Sequence, residues 1–337
     1  MEINRRIDNM ISNKLFLFGL VAIAAALLLT GCEGVGTGNE APRFVGGPTG
    51  LNTYLIEGMP PPVVFDGNSY PFSVGIMIEN QGEVAVGPGT DNPYVMARLV
   101  GINPVQFGLT DDSAMQMLES PLQGSKRNFD DTIFPGELTS IVFEPLSYVP
   151  DIFGNTQFTI RADVCYDYEN MATAIVCIKD DVLESVQDTS ICTLSGEKYV
   201  QNSGGPLHVT KVTENPMGSN KIQINFMIEH IGIGEFFGRD AGEDCDFSMR
   251  NINKYNVDVE VLQFQGDDGL TISCGRFGGS NAGRVKLYQG APTTISCTIE
   301  RTRPSAGRIF QDLLNIRLRY RYGQFIETPI IIQDMPE

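Results

Sequence analysis

The stretch Phe72-Ser-Val-Gly-Ile-Met-Ile-Glu-Asn-Gln-Gly82 decides the fold class, because it recurs 150 residues later as Ile222-Gln-Ile-Asn-Phe-Met-Ile-Glu-His-Ile-Gly232. In both copies apolar side chains occupy alternate positions, and this period of two is typical of a half-buried β-strand. Each copy then ends in a glycine, which favours a turn. The pair therefore predicts equivalent strands in two related parts of the chain.

Further matches follow in the same order along the chain, at offsets of 154, 156 and 155 residues. An offset that drifts by only a few residues is typical of a duplicated unit with loop insertions, so we predict an internal duplication. The matching segments are Gly136 and Thr139-Ser-Ile141 with Gly290 and Thr293-Thr-Ile295, Phe158-Thr-Ile-Arg-Ala-Asp-Val-Cys-Tyr166 with Leu314-Asn-Ile-Arg-Leu-Arg-Tyr-Arg-Tyr322, and Thr173-Ala-Ile175 with Thr328-Pro-Ile330.

The spacing of these segments predicts an all-β chain of two tandem antiparallel β-sandwich domains, because short alternating runs are separated by clusters of Gly, Pro, Asn and Asp. Each copy is expected to end in a hairpin, which in the first copy joins 158–168 to 172–178 through a turn near Met171. We place the first domain at 50–180, a linker at 181–206 and the second domain at 207–337. Asn202-Ser-Gly-Gly-Pro206 is typical of an interdomain break.

The first copy also carries turn motifs around its alternating strand, namely Pro60-Pro-Pro62 and Asp66-Gly-Asn68 before it and Asn80-Gln-Gly82 at its end. This pattern resembles the immunoglobulin-like, CARDB-type domains of prokaryotic surface proteins. The resemblance covers both halves and implies an immunoglobulin-like sandwich in each. The chain departs from antibody domains, because it contains no tryptophan and lacks their Cys-Trp-Cys spacing.

The N-terminus has the features of a secretory signal, with Arg5, Arg6 and Lys14 ahead of an uncharged apolar run at 15–29. That run is short for a transmembrane helix. It leads into Leu29-Thr-Gly-Cys32, which resembles the lipobox of prokaryotic lipoproteins and implies a lipid on the Cys32 thiol. We therefore predict a signal peptide at 1–31 and a Gly-rich tether at 32–49, with an uncleaved anchor as the alternative. Either arrangement exports the rest of the chain, to the outer face of the cytoplasmic membrane or to the cell envelope.

The charge of the chain narrows its possible partners. Residues 1–31 contain three basic and two acidic residues, so the whole-chain charge of −17 becomes −18 after cleavage. Such a surface repels nucleic acid, so we expect no nucleic-acid partner. Acidity of this kind usually keeps an exposed protein soluble, although divalent cations or basic partners are also compatible with it.

Cysteine usage agrees with export. The six cysteines after Cys32 are Cys165, Cys177, Cys192, Cys245, Cys274 and Cys297. An even number in an exported chain favours disulfides over metal thiolates. Three fall on each side of the Gly204-Gly-Pro206 break, so complete pairing requires at least one bond between the halves.

Strand phase suggests which cysteines pair, although six cysteines allow fifteen pairings. Cys274 and Cys297 lie in phase with apolar neighbours and should point into one core, and a hairpin turn near Met171 would place Cys165 opposite Cys177. Cys192 and Cys245 then have only each other, which would fix the angle between the domains.

Two charged clusters are candidate binding sites. The acidic run Asp240-Ala-Gly-Glu243-Asp244-Cys245-Asp246 offers carboxylates to calcium, but it lacks the ligand spacing of a calcium loop and a solvated acidic loop is the favoured interpretation. Arg317, Arg319 and Arg321 share one face of the last strand. They could meet an acidic partner or the acidic first domain, but we favour an outer face whose charges discourage edge pairing.

No motif of a known enzyme class occurs, and His208 and His230 are the only histidines. The leading hypothesis is therefore a non-catalytic surface lipoprotein that acts as spacer, scaffold or protein-interaction module, without a required cofactor. The alternative is an adhesive protein that binds a glycan or another envelope ligand through its loops, with calcium as a stabilising ion. A third hypothesis is a secreted hydrolase that uses a carboxylate pair.

Overall fold

The computed structural model describes residues 42–179, 191–239, 245–248, 250–264, 269–302 and 309–335. As the alternating sequence predicts, the chain is all-β and its sheets are mainly antiparallel. Three short 3-10 turns, Pro104–Phe107, Gly275–Phe277 and Tyr288–Gly290, interrupt the strands. Within the described ranges no helix has both the length and the apolar character needed to cross a membrane.

The strands are numbered in chain order. They are β1 (Leu51–Leu55), β2 (Val63–Phe65), β3 (Phe72–Asn80), β4 (Val95–Val100), β5 (Met115–Met117), β6 (Lys126–Arg127), β7 (Ile133–Phe134), β8 (Leu138–Leu146), β9 (Asn155–Lys179), β10 (Gly196–Lys198), β11 (Val200–Asn202), β12 (Leu207–Pro216), β13 (Lys221–His230), β14 (Glu235–Phe237), β15 (Asn256–Val261), β16 (Leu270–Cys274), β17 (Ala282–Lys286), β18 (Thr293–Arg301) and β19 (Ile309–Gln333).

One central sheet draws on both halves of the chain, in the order β17-β15-β19-β9-β4-β5. Its middle is the antiparallel pair β9 and β19, which remain in register from Asn155 opposite Gln333 to Lys179 opposite Ile309. Each of these strands is 25 residues long. Shorter strands add to the sheet, among them β2, which runs parallel to its partner β19.

The predicted hairpin within 158–178 is wrong, because these residues lie in the single extended strand β9. Its proposed turn residue Met171 stays in the ladder opposite Arg317. The neighbouring Asn170 is fully buried, accepts a hydrogen bond from the Tyr320 hydroxyl and donates one to the Ser203 carbonyl at 2.9 Å. The backbone N–H and C=O groups of β9 therefore form their hydrogen bonds with β19, instead of with each other across a hairpin.

Two outer sheets pack against the central sheet, β1-β3-β8 from the first half and β10-β12-β13-β18-β16 from the second. The residues that match in sequence hold corresponding places in them. Asn80 at the end of β3 pairs with Leu51, and the matching His230 at the end of β13 pairs with Leu207. The β3–β8 and β13–β18 pairs likewise share one register.

A single hydrophobic core runs through both halves. The inward positions of β3 and β13, which the alternation predicts to be apolar, are buried, as Ile76 and Phe226 illustrate. Four buried tyrosines from β9 and β19 lie at its centre, and their rings pack edge-on or tilted against one another. They are Tyr166, Tyr168, Tyr320 and Tyr322.

The segment expected to be an interdomain linker does not divide the described chain into two cores, since the chain from Ala41 to Glu337 clusters as one compact unit. Residues 180–190 of that segment lie outside the described residues. Its last part is held in the interior, where Ser203 is buried and the Gly204 carbonyl accepts a hydrogen bond from the Tyr168 hydroxyl at 3.0 Å. The β9–β19 ladder joins the residues before this segment to those after it.

Candidate functional site

The face of the central sheet that points away from the tyrosine core carries paired charges. The arginine stripe lies on this face, and the register sets Arg319 opposite Glu169 and Arg321 opposite Asp167. Arg319 Nε donates to Glu169 Oε2 at 2.9 Å, and one Arg317 guanidinium nitrogen donates to Glu260 Oε2 at 3.2 Å. The arginines therefore meet acids within the chain.

The favoured interpretation of that stripe, an outer face that protects a sheet edge, is wrong because β19 is flanked on both sides. A signal was present in the sequence. The first half offers alternating acids at Asp163, Asp167 and Glu169, and the matching strand of the second half offers alternating arginines. Such complementarity indicates that the two strands pair with each other.

The Arg321–Asp167 pair is the most enclosed ion pair of this face, since both side chains are about 7% exposed. Arg321 Nε donates to Asp167 Oδ1 at 2.9 Å, and its guanidinium carbon lies 3.9 Å from the centre of the Tyr94 ring. Arg239 approaches the other carboxylate oxygen at 3.5 Å. Two cations and an aromatic ring thus hold one buried carboxylate, which ties β9, β19 and the residues after β14 together.

A disulfide lies beside this pair. Cys165 of β9 bonds to Cys245, with 5.8 Å between their Cα atoms, and Cys245 lies after β14 in the chain. Met96, Phe237 and Phe247 pack around it to form a small apolar cluster separate from the main core. This bond satisfies the requirement that at least one disulfide join the two halves.

The other disulfides are Cys177–Cys192 and Cys274–Cys297. Strand phase predicted the latter, whose cysteines face each other across β16 and β18. The predicted Cys165–Cys177 and Cys192–Cys245 pairs do not form in the structure. The reason is the continuity of β9, because two residues twelve apart in one strand are separated by about 40 Å.

A groove opens between β4, β9 and the segment that contains Cys245. Its volume is about 770 Å³, and three arginines, Arg98, Arg161 and Arg250, contribute to its lining. Arg161 Nε donates to Asp163 at 2.5 Å, while its guanidinium lies 3.8 Å from the centre of the Phe325 ring. Burial raises the pKa of Asp163, and Arg161 and Arg98 oppose that rise. The groove thus presents three guanidinium groups together with the carboxylates of Asp163 and Asp246, and guanidinium groups suit a ligand that carries carboxylates.

Of the acidic run considered for calcium, Asp240, Glu243 and Asp244 lie outside the described residues. Asp246 is exposed, and its carboxylate accepts hydrogen bonds from the Ser248 backbone and hydroxyl, both at 2.8 Å. These bonds lower the pKa of Asp246. In the described part of the chain, no three His, Cys, Asp or Glu side chains are grouped to hold a metal ion. The lipidation candidate Cys32 also lies outside the described residues.

The two histidines occupy separate places. His208 is in β12 opposite Glu229, and burial lowers its pKa. His230 lies at the end of β13, where its Nε2 is 3.2 Å from the Tyr322 hydroxyl, and burial lowers its pKa as well. Burial raises the pKa of Tyr322 to about 12, so neither member of that pair is charged at neutral pH.

A scan of the chain against models of known protein families gives no match, and a search of curated proteins finds none similar to it.

Proposed function

We propose that the protein is a non-catalytic lipoprotein, anchored through Cys32 to the outer face of the cytoplasmic membrane or to the cell envelope, and that it acts as a spacer, scaffold or protein-interaction module. The observation that carries this proposal is the 25-residue pairing of β9 with β19. A spacer or scaffold must keep its binding surfaces at fixed separations. A ladder of this length gives it that property, because the two halves cannot turn relative to each other without breaking backbone hydrogen bonds.

Within this proposal, the two halves are copies of one immunoglobulin-like unit. The order β1-β3-β8 corresponds to β12-β13-β18, and β4 borders β9 as β15 borders β19. Tyr166 and Tyr322, which match at an offset of 156, lie directly opposite each other in the ladder. A two-fold relation between copies requires such a self-pairing, as in a symmetric dimer. The duplicated chain thus resembles a dimer whose interface has become intramolecular.

The side chains around the ladder favour the same function. The Cys165–Cys245 bond and the enclosed Arg321–Asp167 pair both join residues of one half to residues of the other. They add covalent and ionic links to the backbone pairing. A clamp that opens around a ligand would need to break these links, whereas a spacer benefits from them.

Anchorage is tested by comparing the wild-type protein with Cys32→Ser in fractionated cells. The thiol forms the thioether to the lipid, so we expect the wild type in the detergent-soluble membrane fraction and the variant outside it. Crosslinking in intact envelopes should capture the same neighbouring proteins repeatedly with the wild type and lose them with the variant. Membrane retention of Cys32→Ser with an unprocessed N-terminus would instead identify an uncleaved anchor.

The arginine-lined groove favours a second candidate function, the binding of an acidic glycan on the envelope. The test is calorimetric titration of the lipidated protein in detergent with oligogalacturonate. Loss of one charge-assisted hydrogen bond should weaken binding by about tenfold in Arg250→Ala. Arg276→Ala, at an exposed turn position outside the groove, is the matched control. Equal affinities of these two variants would remove the groove from consideration.

A further inference from the structure

The β6–β7 hairpin is an unusual feature of this acidic protein. Its turn joins Arg127 to Ile133, and the side chains of Phe129, Ile133 and Phe134 are 82%, 49% and 55% exposed. Tyr199, which is 79% exposed, lines a cavity of about 650 Å³ that Arg127 also lines. Large apolar side chains concentrated in this way mark a surface that contacts something else.

The hairpin is held by the segment through which the N-terminal part of the chain enters the fold. One Arg43 guanidinium nitrogen donates to the Phe129 carbonyl at 2.8 Å, and Arg127 Nε donates to the Phe44 carbonyl at 2.9 Å. A few residues later, Gly46 donates to Glu83 at 2.8 Å. The entry point of the chain is therefore fixed beside the exposed phenylalanines.

Pro42, the first described residue, lies ten positions after Cys32. Even a fully extended chain of that length spans at most about 35 Å. A lipid on Cys32 would therefore keep Pro42 within about 35 Å of the bilayer surface, and the next residue, Arg43, contacts the hairpin.

The distribution of charge also favours an orientation in which the hairpin faces the bilayer. The mature chain carries a net charge of −18, and anionic lipids repel it. Around the hairpin, Arg43, Lys126 and Arg127 outnumber the acids Asp130 and Asp131, and Asp131 lies 3.7 Å from Arg127. Anionic lipids therefore repel the surface around the hairpin less strongly than they repel the protein as a whole.

We propose that the β6–β7 hairpin is a second membrane contact, which places Phe129 and Phe134 in the interfacial region of the bilayer and sets the orientation of the β-structure. This inference rests on the proposed anchorage through Cys32. The contact is shallow, because hydrogen bonds from Thr132 lower the pKa of Asp130 and keep a charge next to Phe129. Phenylalanines with basic neighbours are typical of interfacial contacts.

The chain contains no tryptophan, so a single substitution supplies a unique fluorescent probe. The test variant is Phe129→Trp, which replaces one exposed aromatic side chain by another. The control is Phe153→Trp, at a fully exposed position just before β9. Tyr199 precedes β11, which pairs with Ala172–Ala174, whereas Phe153 lies just before the first residue of β9. About 60 Å of strand therefore separates Tyr199 from the control position.

Each lipidated variant is reconstituted into mixed phosphatidylcholine and phosphatidylglycerol vesicles, with or without brominated acyl chains. We expect Phe129→Trp emission to shift to shorter wavelength on the vesicles and to be quenched by bromine, whereas Phe153→Trp emission should not change. Flotation with the vesicles without quenching of Phe129→Trp would overturn the hairpin contact and leave the anchorage intact. Failure to float would overturn the anchorage and this inference with it. A concentration-dependent shift without vesicles would identify a second copy of the chain as the occupant instead.

Discussion

Removal of the Cys165–Cys245 disulfide should destabilise the protein more than removal of Cys177–Cys192. The perturbation is a pair of double variants, Cys165→Ala/Cys245→Ala and Cys177→Ala/Cys192→Ala. Alanine is suitable because Cys165 and Cys177 are both buried, each about 1% exposed. The two bonds are of similar span, with Cα atoms 5.8 and 5.6 Å apart, but they close loops of 80 and 15 residues.

The magnitude follows from the loop lengths. A crosslink restricts the unfolded chain by an amount that grows with the logarithm of loop length, which gives about 4.5 kcal/mol for the longer loop and about 3 kcal/mol for the shorter one. The difference between the two losses is about 1.5 kcal/mol, and the term that does not depend on loop length cancels in it. Urea unfolding of both variants and the wild type, extrapolated to zero denaturant, measures it. A larger loss for Cys177→Ala/Cys192→Ala would refute the reasoning.

Non-reducing tryptic mapping tests the connectivity itself. Trypsin releases Cys165 and Cys177 on one peptide, 162–179, Cys192 on 180–198 and Cys245 on 240–250. The structure predicts that all three peptides remain joined until reduction. The pairing inferred from strand phase would leave 162–179 alone with an internal bond. Cleavage of the joined set after Glu169 then separates Cys165 from Cys177 and identifies each partner.

Two further predictions concern buried charges. Asp167→Ala leaves the enclosed Arg321 guanidinium without its main partner and should lower the free energy of unfolding by about 3–5 kcal/mol, whereas Asp167→Leu combined with Arg321→Met should recover much of that loss in the same urea assay. Glu214 is fully buried, and burial raises its pKa above the usual 4.5 while Lys198 and the Cys177 amide oppose the rise. The folded state therefore binds more protons than the unfolded state between 4.5 and the raised pKa, so stability should fall as pH rises through that window. Glu214→Gln should reduce this slope and leave the part contributed by Asp163, whose pKa burial also raises. An unchanged pH profile of unfolding would contradict the assignment.

The local pattern of the sequence predicted the all-β class and the buried faces of β3 and β13, because a strand of period two has one apolar face wherever it pairs. It also predicted the Cys274–Cys297 pair, since β16 and β18 are close in sequence and in phase. The requirement for a disulfide between the halves followed from counting alone. These features depend on side-chain spacing or number, which the chain carries without reference to its fold.

Tertiary structure decided which strands pair. Alternation assigns Cys165 and Cys177 to one face of β9 but does not say whether that strand folds back on itself or runs straight. The partner that keeps β9 straight is β19, which lies about 150 residues away in sequence. The hydrogen bonds between the two strands stabilise the chain only when the full ladder forms. Once β9 is straight, the register sets Arg321 opposite Asp167, and the length of strand between Cys165 and Cys177 prevents them from bonding to each other. Non-local pairing stabilises the chain only after distant segments meet. The periodicity of β9 alone therefore could not identify β19 as its partner, and only a comparison of the acids of β9 with the arginines of β19 pointed to that pairing.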